Sequence, residues 1–252
     1  MANDIWAVAE LENGALKSIS LQLASKAAQL ATALGGQSGA VALGRGAKDA
    51  AAALGATGVN AVLVSDSDVY DTYLAQPATD ALAHLIQERQ PKAVLFPTTA
   101  NGRDIAGRLA ARLGLGIEYN VGAADVANGE IAMVVSAFGG ALNVNSTFAG
   151  EGTRLILARQ NAFPINRGGS GASVEEIAAP AAPTSAAKVS GPFGTEGATE
   201  EGHMTTVNGH QQYVPPPSRS NVEEATIIVS GGRGVGGPEG FADLDALAQA
   251  LG

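Results

Sequence analysis

Four short apolar runs, each followed by an amphipathic stretch, most narrowly constrain how this chain can fold. The apolar runs occupy residues 5–9, 39–43, 61–65 and 93–96. The stretches with helical spacing occupy residues 16–34, 47–54, 78–90 and 103–113. Near-continuous apolar strands are typical of a sheet that is covered on both faces, and strands that alternate with helices are typical of parallel sheets. The pattern predicts an α/β fold with a doubly wound, mostly parallel sheet.

Glycine and proline mark where the predicted helices end. Gly35 and Gly36 follow the first helix and Gly55 follows the second, where a left-handed residue can close the last turn. Pro91 stops the third helix, because proline cannot continue a helix. Asn101 is expected to cap the fourth helix, since its side chain can accept a hydrogen bond from the first turn.

Beyond residue 116 the sequence changes to strands separated by glycine-containing turns. Strands are expected at residues 117–121, 131–138, 141–148 and 154–158. Asn128 and Gly129 lie between the first two, and this dipeptide is a strong hairpin signal because both positions of the turn need positive φ. We therefore expect antiparallel strands added to the parallel sheet, and a first domain over residues 1–165.

Residues 166–223 are rich in glycine, alanine and proline. Such a segment buries too little apolar surface to offset the entropy lost when it is ordered. Residues 174–179 and 187–189 are the two pieces that could form short strands. We expect a linker over residues 166–223, and the incomplete beginning of a second α/β domain over residues 224–252.

The composition excludes several classes of function. The chain has no cysteine, which rules out disulfides, thiolate nucleophiles and cysteine-ligated metals. Its three histidines are His84 on a predicted helix and His203 and His210 in the predicted linker, so we expect no metal site and no catalytic triad. The net charge of −9 argues against a nucleic-acid partner, whose binding needs a cationic surface.

Membrane insertion and export are not expected either. No apolar run approaches the roughly 20 residues that a membrane-spanning helix needs. The first ten residues lack the cationic start and long apolar core of a secretion signal. We expect a cytoplasmic protein.

A glycine-rich segment near the end of the chain carries the strongest indication of a ligand. Gly232, Gly234 and Gly237 satisfy the G-x-G-x-x-G pattern between a predicted strand at residues 227–230 and a predicted helix at residues 241–251. Glycine lets backbone N–H groups approach a phosphate or a flavin, and a helix start adds partial positive charge. A dinucleotide site would also need an acidic residue about 20 positions later, which this chain does not supply. A glycine-rich turn that serves geometry alone is the alternative.

Three further residues of this segment are candidates for binding a cofactor. The Arg233 guanidinium can donate hydrogen bonds to a phosphate or to the electron-rich edge of a flavin. Ser230 can donate its hydroxyl to the same ligand, and Gly231 lets the backbone come close. The alternatives are a solvated loop charge for Arg233 and a simple strand end for Ser230.

A second strand-to-helix turn, residues 98–104, lies where α/β sheets place ligands. It could hold a nucleotide, but a capping role for Thr99 or Asn101, with Asp104 in the first turn, explains the same residues without a ligand. A small-ligand enzyme using Asp66 or Asp104 is a third and weaker interpretation.

Five stretches of the sequence resemble the α subunits of the electron transfer flavoproteins. They are IWAVAE at residues 5–10, TTANGRDIAGRLAARL at 98–113, FGGAL at 138–142, LARQNAF at 157–163 and VSGGRGVG at 229–236. The second and the last are the most specific. The resemblance covers most of the chain, in the order expected for that family.

The resemblance implies an FAD-dependent electron carrier rather than an enzyme with its own substrate. In such proteins the α subunit pairs with a β subunit that carries AMP. The complex takes electrons from flavin dehydrogenases, such as those acting on acyl-CoA in fatty acid β-oxidation, and passes them to a quinone-reducing oxidoreductase. Arg233 matches the arginine that the family places beside the flavin ring, where a cation stabilises reduced, anionic flavin.

The resemblance also implies that most FAD-binding positions of the family lie beyond residue 252, so that the second domain is truncated in this chain. Ser230, Gly231, Gly232, Arg233 and Gly234 are then its share of the cofactor site. The alternative function is a flavin-free module that binds a nucleotide or serves as a scaffold.

Overall fold

The computed structural model describes residues 3–12, 14–185, 203–207, 210–214, 222, 225 and 227–251. The chain divides into two units, Met1–Val189 and Ser190–Gly252. The predicted strand at residues 187–189 lies outside the described residues.

The first unit alternates strands and helices along most of its length. In chain order its elements are β1 (Ile5–Ala9), β2 (Leu11–Glu12), β3 (Ala15–Leu16), α1 (Ser18–Leu34), β4 (Ser38–Leu43), α2 (Ala47–Gly55), β5 (Ala61–Ser65), α3 (Val69–Thr72), α4 (Gln76–Arg89), β6 (Ala93–Pro97), α5 (Ala100–Leu113), β7 (Ile117–Ala127), β8 (Glu130–Ala137), β9 (Leu142–Thr147), β10 (Arg154–Ala158) and β11 (Ser173–Glu176). Apart from the small strands β2 and β3, the short helix α3 and shifts at the ends, these are the elements that the sequence predicts.

Among the described residues, nine strands form one sheet in the order β11-β5-β4-β1-β6-β10-β7-β8-β9. Every neighbouring pair from β11 to β7 is parallel, whereas β7, β8 and β9 pair antiparallel. The chain moves from β1 outward to β4 and β5, and then crosses back to β6 on the other side of β1. This reversal is the doubly wound topology, and it confirms the predicted fold class.

Helices cover the parallel part of the sheet on both faces. One apolar cluster joins α1 and α2 to alternate strand residues, and Ile5, Leu23 and Ile156 are among its buried members. The other joins α4 and α5 to the opposite strand face, and Phe96 and Leu109 are fully buried there. Because both faces are buried, β1 and β6 read as continuous apolar runs in the sequence.

The antiparallel strands extend the sheet beyond the helices. β7 is longer than predicted, because it pairs with β10 at its start and with β8 along its second half. Asn128 and Gly129 connect β7 to β8 with φ of 53° and 78°, which confirms the hairpin signal. Asn120 has a φ of 61° next to the irregular register of β7.

β11 comes from the segment predicted as a linker. It pairs with β5 in parallel over Ser173–Glu176, within the strand predicted at residues 174–179. The first unit therefore runs further than residue 165, because this short strand completes one edge of its sheet.

The second unit contains β12 (His203–Val207), β13 (His210–Val214) and α6 (Phe241–Leu251). β12 and β13 pair antiparallel with each other. The helix predicted at residues 241–251 is confirmed. The strand predicted at residues 227–230 is wrong: this stretch is a bend and irregular chain, since no described strand lies beside it to supply ladder hydrogen bonds.

Candidate functional site

The glycine-rich loop spans residues 231–240 and leads directly into α6. Arg233–Val235 and Pro238–Gly240 each form one turn of 3-10 helix. Ser230, Gly231, Gly232, Arg233 and Gly234, the five residues predicted to bind the cofactor, are contiguous and all exposed. The structure thus presents them together on the surface of the second unit.

The packing of this loop within the chain favours glycine at three positions. A Cβ on Gly231 would lie 2.4 Å from Cδ1 of Leu244 on α6, so this side chain would have to shift to admit one. A Cβ on Gly240 would lie 2.0 Å from the Val235 carbonyl oxygen. Gly236 has a φ of 82°, which favours glycine at this position.

Gly232 and Gly234 have no such explanation within the chain. A Cβ on either would meet no atom of the described residues within 4 Å, and neither has a positive φ. The backbone of Gly232 is extended, with φ −111° and ψ −161°, which other residues adopt readily. Glycine at these two positions leaves the backbone open to close approach by a molecule outside the chain.

Some donor groups of the loop have no acceptor among the residues that the structure describes. The N–H of Val235 donates to the Gly232 carbonyl at 3.2 Å, and that of Gly236 to the Arg233 carbonyl at 3.3 Å. Within the part of the chain that the structure describes, no acceptor pairs with the N–H groups of Gly232 or Gly234, and no carboxylate pairs with Arg233. The loop therefore offers a cation and backbone donors to an electron-rich ligand.

Carboxylates occupy the region where a helix start would favour a phosphate. Glu239 lies in the last 3-10 turn before α6, and Asp243 lies in the first turn of α6. Their negative charge offsets the partial positive charge of the helix start. An anionic pyrophosphate is disfavoured there, and Arg233 is the cation of the loop.

The turn after β6, the alternative nucleotide site, uses its polar groups within the chain. Thr98 Oγ1 donates to the Ala158 carbonyl at 2.8 Å. Thr99 caps α5, since its Oγ1 accepts the Gly102 N–H at 3.0 Å. The expectation that Asn101 is the cap is wrong, because the helix begins at Ala100 and Asn101 already lies in its first turn.

Charged side chains of α5 are also paired within the first unit. Asp104 accepts from Arg108 Nε at 2.7 Å, one turn later on the same helix. The Arg103 side chain returns to the Thr99 carbonyl at 3.2 Å. This turn is explained by capping alone, which favours the structural interpretation over a nucleotide site or an enzyme based on Asp104.

The remaining candidates for chemistry do not gather into a site. His84 is exposed on α4, 3.7 Å from Glu88 one turn away. Asp66 accepts the Lys48 N–H at 3.5 Å. In the described ranges, no cluster of three or more His, Cys, Asp or Glu side chains could hold a metal ion. Nor does any helix within them have both the length and the apolar character needed to cross a bilayer.

A groove of about 460 Å³ lies between α1 and the chain after β10. Its cation is Lys26, a buried residue whose Nζ lies 3.2 Å from Asp125 Oδ1 and 3.0 Å from Gln29 Oε1. The same Nζ lies 5.2 Å from the centre of the Phe163 ring. Lys26 is thus neutralised by its own neighbours and offers no unpaired charge to a ligand.

Comparison with known proteins shows the family to which the chain belongs. Residues 5–182 match the electron transfer flavoprotein domain over most of the chain. The chain belongs to the electron transfer flavoprotein (ETF) family. Membership in this family gives it a role in electron transfer.

Curated ETF relatives match almost the full length of the chain, including the glycine-rich loop. The electron transfer flavoprotein subunit alpha of Mycobacterium leprae is 35% identical over 248 residues, which cover 96% of this chain and 68% of the relative. The subunit alpha of Thermoanaerobacterium thermosaccharolyticum is 29% identical over 99% of this chain and 71% of its own length. Protein FixB of Clostridium saccharobutylicum is 29% identical over 98% and 69%. These matches place the chain with the α subunits.

The sequence marks the tip of the β8–β9 hairpin, FGGAL at residues 138–142, only by its family resemblance and does not predict its exposure. Phe138 there is 83% exposed, although apolar side chains in this region were expected to form strands. The available signal was charge: residues 131–150 contain no Asp, Glu, Lys or Arg. Such a long uncharged stretch suggests buried strands, and its exposure cannot be predicted before the two faces of each strand are known.

Proposed function

We propose that this chain is an ETF α subunit that works as a heterodimer with a β subunit. In that assembly it carries electrons by means of bound FAD, and the β subunit carries AMP. Its electron donors are flavin dehydrogenases, such as those that act on acyl-CoA, and its acceptor is a quinone-reducing oxidoreductase. It is an electron carrier and catalyses no reaction on a substrate of its own.

The observation that carries this proposal is the environment of Arg233. Arg233 is exposed and is flanked in sequence by Gly232 and Gly234, where the described residues leave the space of a side chain empty. Binding of a flavin needs a surface on which its flat, electron-rich ring can approach the backbone closely. The loop has this form, and it fits the flavin part of FAD better than the pyrophosphate because Glu239 and Asp243 flank the start of α6.

Each residue of the loop has a distinct part in this proposal. Gly231, Gly232 and Gly234 allow the approach, and Ser230 offers a hydroxyl donor at the start of the loop. Bound FAD supplies the redox chemistry. Arg233 holds a fixed positive charge at that position, which stabilises negative charge on the reduced form relative to the oxidised form.

The experiment measures the midpoint potential of the flavin in the heterodimer with and without this charge. Arg233→Gln removes the cation but keeps a hydrogen-bond donor. We expect the two-electron potential to fall by roughly 30–60 mV, which corresponds to the loss of about 1.5–3 kcal/mol for a charge-assisted hydrogen bond.

Arg233→Lys is the matched control, because it keeps the positive charge but lacks the planar fork. Its potential should stay closer to that of the wild type than the potential of Arg233→Gln does. Equal potentials in all three proteins would show that Arg233 does not face the flavin.

A further inference from the structure

The carboxylate of Glu239 lies against the third glycine of the G-x-G-x-x-G pattern. A Cβ added to Gly237 would be 3.0 Å from Glu239 Oε1 and 3.1 Å from Glu239 Oε2. The Glu239 side chain therefore folds back towards the loop. In loops of this pattern that bind dinucleotides, the pyrophosphate sits between the glycines and the start of the helix. Glu239 places a negative charge in that region of the loop.

The backbone of the loop holds Glu239 close to Gly237. Pro238–Gly240 form one turn of 3-10 helix, and the Gly240 N–H donates to the Gly237 carbonyl at 3.1 Å. The proline fixes its own φ and so limits the conformations of this turn. A Cβ on Gly240 would be 2.0 Å from the Val235 carbonyl oxygen, so the chain before the turn also packs tightly against it. Glu239 stays near Gly237 as long as the turn is intact.

No cation pairs with Glu239 within the part of the chain that the structure describes. None of the ion pairs found there includes Glu239 or Asp243. Asp243 lies in the first turn of α6 and adds a second negative charge. Arg233, the cation of the loop, lies near its beginning. The loop therefore carries a positive charge near its beginning and negative charge where α6 starts.

This separation of charge suits a cofactor that is held by its ring and not by its phosphates. Arg233 and the open backbone at Gly232 and Gly234 favour an electron-rich ring, whereas Glu239 repels an anion at the start of α6. We infer that Glu239 is a specificity-determining residue of the loop, an inference that rests on the proposed function. It keeps phosphate groups away from the start of α6, so that the loop selects its cofactor by the flavin ring.

The test compares riboflavin with FMN, which share the flavin ring and differ by one phosphate. The heterodimer of the full chain with its cognate β subunit is stripped of its cofactor and titrated with each compound. The ratio of the Kd of FMN to the Kd of riboflavin isolates the contribution of the phosphate. Glu239→Gln removes the charge and nearly keeps the shape of the side chain. We expect this ratio to fall about three- to fivefold, the effect of one solvent-exposed charge interaction, and the Kd of riboflavin to stay within about twofold.

Asp245→Asn is the matched control for this substitution. Asp245 is exposed on α6 beyond its first turn, so its loss removes the same charge at a different place. It corrects for the repulsion of FMN by the acidic protein as a whole, and it should change the ratio by less than about 1.5-fold. Glu239→Asp keeps the charge on a shorter side chain, and its ratio should lie between those of the wild type and Glu239→Gln. Unchanged riboflavin binding shows for each variant that the site is folded.

The dependence of the wild type on ionic strength gives the sign of the interaction without any substitution. Added salt screens the repulsion between Glu239 and the phosphate, so the Kd ratio of FMN to riboflavin should fall. A ratio that rises with salt, or equal ratios for Glu239→Gln and Asp245→Asn, would overturn the inference and leave flavin binding intact. Failure of the wild type to bind riboflavin, FMN and FAD would instead overturn the proposed function, and this inference with it.

Discussion

The two glycines of α5 differ in the space around them. One has no room for a side chain, and the other has room. Gly102 lies in the first turn of α5, where a Cβ would approach the Pro97 carbonyl oxygen to 2.0 Å. Gly107 lies later on the same helix, where a Cβ would meet no atom within 4 Å. The close packing of α5 against the end of β6 therefore depends on Gly102 and not on Gly107.

Alanine at these two positions should change stability in opposite directions. Gly102→Ala forces the strand and the helix apart and should lower the free energy of unfolding by about 1–3 kcal/mol. Gly107→Ala should raise it by about 0.5–1 kcal/mol, because alanine is the better helix former and has room. Urea unfolding of both variants followed by circular dichroism measures the difference. A Gly102→Ala protein as stable as the wild type would contradict the packing described for this turn.

Single residues could be predicted from the sequence where their role is local. Asn128 and Gly129 form the hairpin turn that their types predict. The sequence offers both Thr99 and Asn101 as the cap of α5, because both residue types cap helices, and only the structure, in which Thr99 is the cap, fixes where the helix begins. The exposure of Phe138 could not be predicted, since it depends on which strands the helices cover.

At the scale of elements, the edge strand β11 is held by ion pairs on both faces of the sheet. Arg89, the last residue of α4, donates to Glu175 at 2.9 Å. On the other face, Lys48 of α2 lies 3.0 Å from Glu176. The hydrogen bond from the Arg89 guanidinium lowers the pKa of the Glu175 carboxyl below its usual value near 4.5. Protonation of Glu175 should therefore weaken the attachment of β11.

The contribution of Glu175 should depend on pH in a definite direction. Because its pKa is lowered in the folded state, its contribution is complete above the pKa of the unfolded chain and is lost as the pH falls through the lowered, folded-state value. Glu175→Gln should lower the free energy of unfolding at pH 7 by less than about 1 kcal/mol, since the pair is partly solvated. The difference from the wild type should shrink as the pH falls below the ordinary titration range of a glutamate carboxyl.

Glu151→Gln is a suitable control for this experiment. Glu151 is exposed, and in the described part of the chain no cation pairs with it, so its loss removes a charge without removing an ion pair. Its stability should follow that of the wild type across the same pH range. A Glu175→Gln difference that persisted unchanged at acid pH would contradict an ionic attachment.

The elements of the first unit could be predicted because local signals and packing agree there. Buried strands are apolar throughout, and the helices have apolar stripes that end at glycine or proline. The stretch at residues 227–230 has the composition of a strand but is irregular in the structure, because strand formation depends on a neighbouring strand as well as on sequence. The pairing of β11 with β5 could not be predicted either, since it joins segments that are far apart in the chain.

At the scale of the whole molecule, the doubly wound sheet places the antiparallel hairpin and the β11 edge at opposite ends. The order of the strands follows from the crossover of the chain after β5. Sequence pattern predicts the alternation of strands and helices, but not which strands form the two edges of the sheet. That distinction emerged only from the pairing of β8 with β9 and of β5 with β11.

The glycine-rich loop was predicted to bind a cofactor from its glycines and from Arg233, and the structure describes the surroundings of these residues. It separates the glycines that the chain needs from Gly232 and Gly234, which it does not need. It also assigns the negative charge near α6 to Glu239 and Asp243. The assignment of the loop to a flavin stays a proposal at this scale, because it concerns a molecule and a second subunit outside the chain.

The flavin content of the purified heterodimer tests the central claim most directly. The full chain is co-expressed with its cognate β subunit, the complex is isolated by size, and its visible absorption and released cofactor are measured. The proposed function requires a yellow complex that releases FAD in stoichiometric amount. A stable but colourless heterodimer that releases no flavin would contradict the claim and would favour a flavin-free scaffold.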